Sequence, residues 1–345
     1  MASAALRVVS SAAAGSSPRV HASVVASGAS RARSTRTHTA RGAASPSISA
    51  ASELPMGDGW DASLADAFRD SPETRALVTG DLVTLRPCEL CPELPMWLLD
   101  DGDDVLTLWE RTETFAGDTA SSSHGASDGG LRPPYCAVPW VGGQGLARYI
   151  LDNPDVVRGR SVLDVGSGCG VAALAAATAG ASRVCGEFIL IIVRAIILTT
   201  SCFISTANDI DPLAAVAFLA NADASGVTNG PCVLETSHED LLRSPASRVA
   251  EYDVVMAGDV CFVKGLADAF QSWLASVAED GRKDGAPAHA RTVLLGDPAR
   301  QTRWAPTAGW AKGARRVAEY EVVTAATSAL TEGAPVRSTS VWRVD

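Results

Sequence analysis

The chain has 345 residues, 47% of them hydrophobic and 20% charged, with a formal net charge of −10 at pH 7. This length allows one large domain or two small ones, and the composition is that of a globular protein. The first 52 residues carry six arginines and no acid, so the remainder has 23 basic and 39 acidic residues and a net charge of −16. Such a body is a poor candidate for binding a phosphate backbone. It is compatible with a lysine-bearing protein partner, although a solvated acidic surface without a functional role explains it equally well.

Residues 1–55 consist mainly of Ala, Ser, Thr, Gly and Arg, and the first acidic residue is Glu53. They lack an apolar run long enough for a secretory signal, and an Arg-rich, Ser-rich segment without acids is typical of an organelle transit peptide. A disordered tail without a targeting role would have the same composition. We predict a disordered transit peptide over residues 1–55, and a location in the mitochondrial matrix or the plastid stroma.

Residues 56–130 are polar, with short apolar patches at residues 96–99 and 105–110. Residues 117–130 are rich in Gly and Ser, which is typical of a flexible linker. We therefore predict a poorly ordered N-terminal extension and linker over residues 56–130, followed by the folded domain at residues 131–345.

The eight cysteines of the chain predict no metal site. Only Cys88 and Cys91 form a CxxC pair. A structural zinc site needs four ligands, and no second pair or histidine cluster follows. We interpret the cysteines as free thiols in a reducing compartment.

Short apolar strands alternate with helical runs from residue 131 onward. Strands are predicted at residues 161–165, 232–236, 252–260, 292–298, 316–325 and 337–344, and helices at 171–181, 213–226 and 264–277. Alternating strands and helices predict an α/β fold with a mostly parallel sheet and helices on both faces. The last two strands have no helix between them, which predicts a C-terminal antiparallel hairpin.

A glycine-rich loop follows the first strand of the domain. Asp164 ends the strand, and Gly166, Gly168 and Gly170 form the pattern GxGxG. Glycine lets the backbone turn tightly and approach a ligand closely. The dinucleotide fingerprint GxGxxG would need a glycine at position 171, which is Val171. The spacing, with an acid two places before the first glycine, instead resembles motif I of class I methyltransferases.

This resemblance implies that the loop, including Ser167, cradles the methionine part of S-adenosylmethionine. It also implies that Asp164 orders the loop and faces the ammonium group of the ligand through water. A plain glycine-rich turn between a strand and a helix is the alternative interpretation.

Three further acids are candidates for the same ligand. Asp209 and Asp211 lie in "NDIDP", after the second strand, where a carboxylate can accept hydrogen bonds from both ribose hydroxyls. We prefer Asp209 for the ribose, and Asp211 for the cap of the helix that begins at Pro212, although both remain cofactor candidates. Asp240, after the third strand, is assigned to the adenine amine, with a plain N-cap as the alternative.

Three longer motifs make the chain recognisable. These are "WVGGQGLARYILDNP" at residues 140–154, "GDVCF" at 258–262 and "LLGDPAR" at 294–300. Together they closely resemble the electron transfer flavoprotein β-subunit lysine methyltransferases, which belong to the seven-β-strand methyltransferases and are related to the ribosomal protein L11 methyltransferases. The resemblance covers about residues 131–345. It implies a class I, Rossmann-like fold with seven strands and S-adenosylmethionine as the cofactor.

The resemblance also implies roles for residues outside the glycine loop. Trp140 would lie beside the cofactor, and Asp259 would face the substrate lysine and position its amine, with a cap on the following helix as the alternative. Phe262 would form an aromatic wall where the family usually has Tyr. Asp297 and Arg300 follow another strand, where open α/β sheets bind ligands, and are candidate substrate contacts.

We therefore expect an enzyme, a protein-lysine N-methyltransferase that uses S-adenosylmethionine and acts on an exposed lysine of the electron transfer flavoprotein β subunit. One alternative is methylation of a ribosomal protein or another amine. The other is a non-catalytic protein that binds S-adenosylmethionine. We expect no nucleic acid, membrane or metal partner.

Residues 186–206 are an anomalous insertion in the second strand, 21 residues longer than the family pattern. The apolar run at 188–204 is too short for a membrane span, which needs about 20 residues, and it carries Arg194 at its centre. Six of the nine isoleucines of the chain lie here. Since isoleucine codons are A/T-rich, we hypothesise a retained intron, which transcript sequencing tests. If the insertion is a genuine loop, residues 202–208 would complete the strand.

Overall fold

The computed structural model describes residues 62–99, 104–119, 134–181, 203–230, 232–283, 291–300, 303–322, 336 and 338–345. Its α-helices are α1 (Ala62–Asp70), α2 (Pro72–Thr79), α3 (Asp104–Thr119), α4 (Val141–Asp152), α5 (Val171–Thr178), α6 (Pro212–Ala224) and α7 (Lys264–Lys283). Its strands are β1 (Val83–Pro87), β2 (Pro95–Leu99), β3 (Val162–Val165), β4 (Phe203–Asn208), β5 (Cys232–Ser237), β6 (Val254–Gly258), β7 (Thr292–Asp297), β8 (Arg315–Glu321) and β9 (Ser338–Val344). The predicted transit peptide lies outside the described residues.

Seven strands form one sheet in the order β5-β4-β3-β6-β7-β9-β8. The five strands from β5 to β7 are parallel, whereas β9 runs antiparallel to both β7 and β8. The predicted α/β fold, a seven-stranded and mostly parallel sheet with a C-terminal antiparallel hairpin, is confirmed. The chain runs outward from β3 to β5 and then returns to β6 on the other side of β3. Ligands of open α/β sheets bind at such a reversal, outside the carboxyl ends of the strands.

The central strands are apolar throughout because helices cover both faces of a parallel sheet. Every residue of β3 and β7 is buried, as is all of β6 except Gly258. Asp164 in β3 and Asp297 in β7 are therefore carboxylates within otherwise apolar strands.

The prediction of a poorly ordered N-terminal extension is wrong for residues 62–99 and 104–119. These residues form three helices and the antiparallel hairpin β1–β2. Ser71 caps α2 by accepting hydrogen bonds from two backbone N–H groups, with proline at the first helical position. In α3, Val105, Leu108 and Thr112 are buried at helical spacing. The short apolar patches were thus parts of amphipathic elements.

The N-terminal segment packs on helix α6. Many of its buried apolar side chains form one cluster with side chains of α6, and this cluster includes Phe68, Val78, Val83, Leu99, Val105, Leu108, Leu213, Ala214, Val216, Ala217 and Ala220. The backbone N–H of Trp97 in β2 also donates a hydrogen bond to Asn221 Oδ1 at 2.6 Å. Residues 62–99 and 104–119 are therefore part of the domain and not a linker to it.

Strand β4 lies between β3 and β5. The prediction that the end of the insertion supplies the second strand is confirmed for residues 203–208. Residues 186–202 of the insertion lie outside the described part of the chain. Among the described residues, no helix has both the length and the apolar character of a membrane span.

Helix α4 contacts the sheet backbone to backbone. A methyl group added at Gly142 would overlap the backbone nitrogen of Asp259 and lie 2.5 Å from the carbonyl oxygen of Gly296. One added at Gly258 would lie 2.7 Å from Cα of Gly143. Glycine is thus required on both sides of this contact, which holds the N-terminus of α4 against the carboxyl ends of β6 and β7.

We predict that Gly142→Ala lowers the free energy of unfolding by about 1–3 kcal/mol, because the added methyl group overlaps backbone that cannot move independently. The matched control is Gly265→Ala in α7, where an added methyl group meets nothing within 4 Å. The control should leave stability unchanged or raise it by up to about 1 kcal/mol. Urea denaturation of both variants measures the difference, and equal midpoints would contradict the prediction.

Candidate active site

The loop between β3 and α5 depends on glycine geometry. Gly166, Gly168 and Gly170 have φ angles of 70°, 53° and 80°, in the left-handed region that favours glycine. The N–H groups of Gly166 and Ser167 donate to the carbonyl oxygen of Asn208 at 2.8 and 3.0 Å. The end of β4 therefore supports the first half of the loop.

Gly170 has a packing role that the sequence did not show. It is the N-cap residue of α5, and a methyl group added there would overlap the ring of Phe218 in α6. Gly170 was predicted to bind the cofactor. That contact stays a prediction, and in the structure Gly170 allows α5 and α6 to pack close together.

Asp164 is a buried carboxylate directly beneath the loop. Its Oδ2 accepts a hydrogen bond from the backbone N–H of Ala173, in the first turn of α5, at 3.1 Å. Burial raises its pKa to about 7, and the negative charge of Asp209 adds to the effect. Asp164 thus ties β3 to α5, which agrees with the predicted role in ordering the loop. A cation bound in front of it would favour its ionised form.

Asp209 and Asp211 have distinct positions after β4. Asp209 accepts hydrogen bonds from the N–H groups of Gly168 at 2.9 Å and Asp211 at 3.0 Å, so its carboxylate lies against the glycine loop. Asp211 accepts from the N–H of Leu213 at 2.9 Å, and the preference for it as the cap of α6 is confirmed. The contact between Asp209 and a ribose stays a prediction, and its place beside the loop suits that role.

Asp240 precedes the short 3₁₀ helix Leu241–Arg243 and pairs with the Arg243 guanidinium at 3.1 Å. Asp240 is the N-cap residue by position, as the alternative expected, but its side chain makes no capping hydrogen bond. The contact with an adenine amine stays a prediction.

A cleft that is partly open to solvent lies at the carboxyl ends of β3 and β6, where the strand order reverses. Five residues predicted for the cofactor line it together, namely Trp140, Asp164, Gly166, Ser167 and Gly168. Gly143, which the same motif as Trp140 places beside the cofactor, also lines it, and the lining residues that sequence reasoning did not name are Val138, Cys169, Val171, Ala172 and Gly258.

Asp259 directly follows β6, next to the cleft, and its carboxylate accepts three hydrogen bonds. Both of its oxygens accept from Arg300, at 2.9 Å from Nε and 2.8 Å from Nη2. Its Oδ2 also accepts from the N–H of Gly142 at 3.0 Å. The predicted alternative, a cap on the following helix, is therefore wrong, because the carboxylate binds the N-terminus of α4. The backbone of Asp259 has a φ of 59°, which is uncommon for a residue other than glycine. Residues with such strained backbone angles cluster at functional sites.

Arg300 contacts both Asp259 and Trp140, which lines the cleft. Its guanidinium carbon lies 5.2 Å from the centre of the Trp140 ring, a cation–π distance. The Trp140 ring also packs edge-on against Tyr135, with ring centres 5.6 Å apart. The structure thus brings Trp140, Arg300 and Asp259 together, a grouping that the sequence did not reveal.

Asp297 and Phe262 differ in their accessibility. Asp297 is buried and accepts a hydrogen bond from the N–H of Ala299 at 2.7 Å. Burial, together with the charge of Asp259, raises its pKa to about 7. This burial argues against the predicted direct contact with a protein substrate. Phe262 is 39% exposed and remains a candidate aromatic wall.

The cleft fits a ligand that is cationic at one end and has flat or apolar groups. The glycine backbone allows close approach, Asp164 supplies a counter-charge, and Trp140 supplies an aromatic face. Among the described residues, no cluster of His, Cys, Asp or Glu side chains is arranged to hold a metal ion.

Comparison with known proteins identifies the family, although no family model matches the chain. The human electron transfer flavoprotein beta subunit lysine methyltransferase is 33% identical over 236 residues, which cover 68% of this chain and 70% of the human protein. This chain belongs to that lysine methyltransferase family. The rat and zebrafish members are each 36% identical over 167 residues, 48% of this chain, which spans about half of each of those proteins (51%). A ribosomal protein L11 methylase from Lactobacillus delbrueckii subsp. bulgaricus has a TM-score of 0.33 and 16% identity, covering 57% of this chain and 75% of that chain.

As a member of the lysine methyltransferase family, the chain uses S-adenosylmethionine as its methyl donor. The residues that line the cleft would hold it, with Asp164 as the counter-charge to its cationic end.

We predict that the affinity for S-adenosylmethionine rises with pH between about 5.5 and 7, by up to about tenfold per unit, and then levels off. The physical reason is that Asp164, with its pKa raised to about 7, must lose its proton to face the cationic cofactor. Asp164→Asn should bind more weakly and without this pH dependence. Calorimetric titration at several pH values measures the effect.

The matched control for this titration is Asp297→Asn, because Asp297 also has a pKa of about 7 but lies outside the lining of the cleft. It should keep the pH dependence. A pH dependence that persists in Asp164→Asn and disappears in Asp297→Asn would contradict the assignment.

Proposed function

We propose that this chain is an S-adenosylmethionine-dependent protein-lysine N-methyltransferase and that its substrate is the β subunit of electron transfer flavoprotein. The observation that carries the proposal is a cofactor-type cleft whose Trp140 wall contacts the Arg300–Asp259 pair, in a member of this family. The names of the relatives supply the substrate. The acidic body, with its net charge of −16 after residue 52, favours a lysine-bearing protein over a nucleic acid.

The reaction requires alignment more than covalent chemistry from the protein. When bound, S-adenosylmethionine supplies a methyl group on a sulfonium, and the acceptor is a neutral lysine amine. The chain must hold that amine in line and exclude water from it. The flat face of Trp140 suits the aliphatic part of a lysine side chain, and Phe262 can cover its outer side.

Asp259 has the capacity to orient the amine. An ionised carboxylate offers about four acceptor positions. Arg300 and Gly142 use three of these positions, two of them on Oδ2 and one on Oδ1. The remaining position on Oδ1 can accept a hydrogen bond from the substrate amine. Asp259 therefore positions the amine, and the amine loses its proton to solvent before it attacks the methyl group.

We also propose a location in an organelle, either the mitochondrial matrix or the plastid stroma. The Arg-rich and acid-free composition of the first 52 residues supports it. A fluorescent tag at the C-terminus of the full chain tests this location.

We predict that the purified full chain transfers label from methyl-labelled S-adenosylmethionine to the β subunit of electron transfer flavoprotein, and not to ribosomal protein L11 under the same conditions. Asp209→Ala should weaken cofactor binding about 10- to 100-fold, because a charged hydrogen-bond partner of the ligand is lost. The matched control, Asp268→Ala, removes an exposed acid that pairs with Lys264 and should leave the rate unchanged.

Each other outcome of this assay has a distinct meaning. Label on L11 alone would contradict the proposed substrate and support another amine acceptor. Absence of label from every acceptor, together with measurable binding of S-adenosylmethionine, would contradict the enzymatic proposal and support a non-catalytic binding protein.

A further inference from the structure

The Arg300–Asp259 pair is buried at the edge of the cofactor cleft. The two side chains are 10% and 5% exposed, and the guanidinium contacts the carboxylate through two parallel hydrogen bonds. Its third nitrogen, Nη1, is buried and has no hydrogen-bond partner among the described residues. All the side-chain hydrogen bonds that Arg300 donates to this part of the chain are therefore directed at Asp259. Because a buried ion pair generally contributes little net stability, its place beside the reacting groups calls for another explanation.

A carboxylate that orients the substrate amine creates a chemical conflict. A negative charge within hydrogen-bonding distance favours the ammonium form of lysine and raises its pKa by about one to three units. Only the neutral amine has the lone pair that attacks a methyl group. An uncompensated Asp259 would hold the substrate in place and at the same time hold it in its unreactive form.

The other groups around Asp259 do not resolve this conflict. Asp297 lies close enough for its pKa to respond to both Asp259 and Arg300, and it adds a negative charge when ionised. Burial raises the pKa of the Cys261 thiol, which stays neutral. Lys264, at the start of α7, is exposed and pairs with Asp268. Of the described residues around Asp259, Arg300 supplies the compensating positive charge.

We propose that Arg300 is a positioning residue that cancels the charge of Asp259, so that Asp259 orients the substrate amine without stabilising its ammonium form. The inference rests on the proposed function. The two parallel hydrogen bonds from the Arg300 guanidinium also fix the orientation of the Asp259 carboxylate. They leave one acceptor position on Oδ1 for the amine. Contact with the Trp140 ring, whose centre lies 5.2 Å from the guanidinium carbon, holds the charge of Arg300 in place beside Asp259.

The test is the pH dependence of single-turnover methylation at saturating S-adenosylmethionine. With excess enzyme, the rate of one turnover follows the fraction of bound lysine that is neutral. For Arg300→Gln, the midpoint of the rising limb should move up by at least about one pH unit, which is about tenfold in rate at a pH well below the midpoint. Arg300→Lys keeps the positive charge but loses the two parallel hydrogen bonds. Its plateau rate should fall, while its midpoint stays within about 0.3 units of the unmodified chain.

A double variant keeps the test decisive if Arg300→Gln fails to fold because Asp259 is left uncompensated. Asp259→Asn combined with Arg300→Gln removes both charges, and its midpoint should not rise above that of the unmodified chain. Asp297→Asn is the control for the second carboxylate, and its midpoint should stay the same or fall. Thermal melting and cofactor titration check that each variant is folded.

Two results would overturn the inference. If Arg300→Gln and Arg300→Lys lose rate equally and share the midpoint of the unmodified chain, Arg300 has a structural role only. If the double variant shows the raised midpoint, the charge of Asp259 is not its cause. A failure of the proposed function looks different, because the unmodified chain would then turn over at no pH, and the inference would fall with it.

Discussion

The Asp259 carboxylate is the contact on which the arrangement of the active site depends. It accepts hydrogen bonds from the first turn of α4 and from Arg300, so one side chain joins three segments that are far apart in the chain. The same junction requires glycine at positions 142, 258 and 296, because helix and strand ends touch through their backbones. Trp140 directly precedes α4, and its placement in the wall of the cleft follows from this contact.

Buried carboxylates set the electrostatic character of the site. Asp164 and Asp297 lie in central strands that helices cover on both faces, and burial raises the pKa of each to about 7. Ionising either of these buried carboxylates costs free energy unless a cation lies against it. Asp259 is also buried but has its partner in place, since Arg300 lies against it. The site therefore holds one carboxylate paired with a cation, at the position proposed for the amine, and one carboxylate with a raised pKa, at the position proposed for the cationic cofactor.

The N-terminal segment supports the cofactor loop through helix α6. Asn221 receives a hydrogen bond from the backbone of Trp97 in β2 and donates one to the carbonyl oxygen of Cys169 in the glycine loop, at 3.0 Å. The hairpin thereby contacts the cofactor site through one buried amide. Together with the apolar cluster on α6, this hydrogen-bonded connection attaches the described residues 62–99 and 104–119 to the domain.

The sequence alone determined the features that depend on short spacings. The alternation of strands and helices, the glycine loop, the cap at Asp211 and the family motifs all involve residues near one another in the chain, where local geometry leaves few choices. The tertiary structure decided the partners. Asp259 pairs with Arg300 and Gly170 packs on Phe218, whereas Asp240 turns to Arg243. The first two contacts arise because the order of strands and helices brings distant segments together, and no local pattern encodes that proximity.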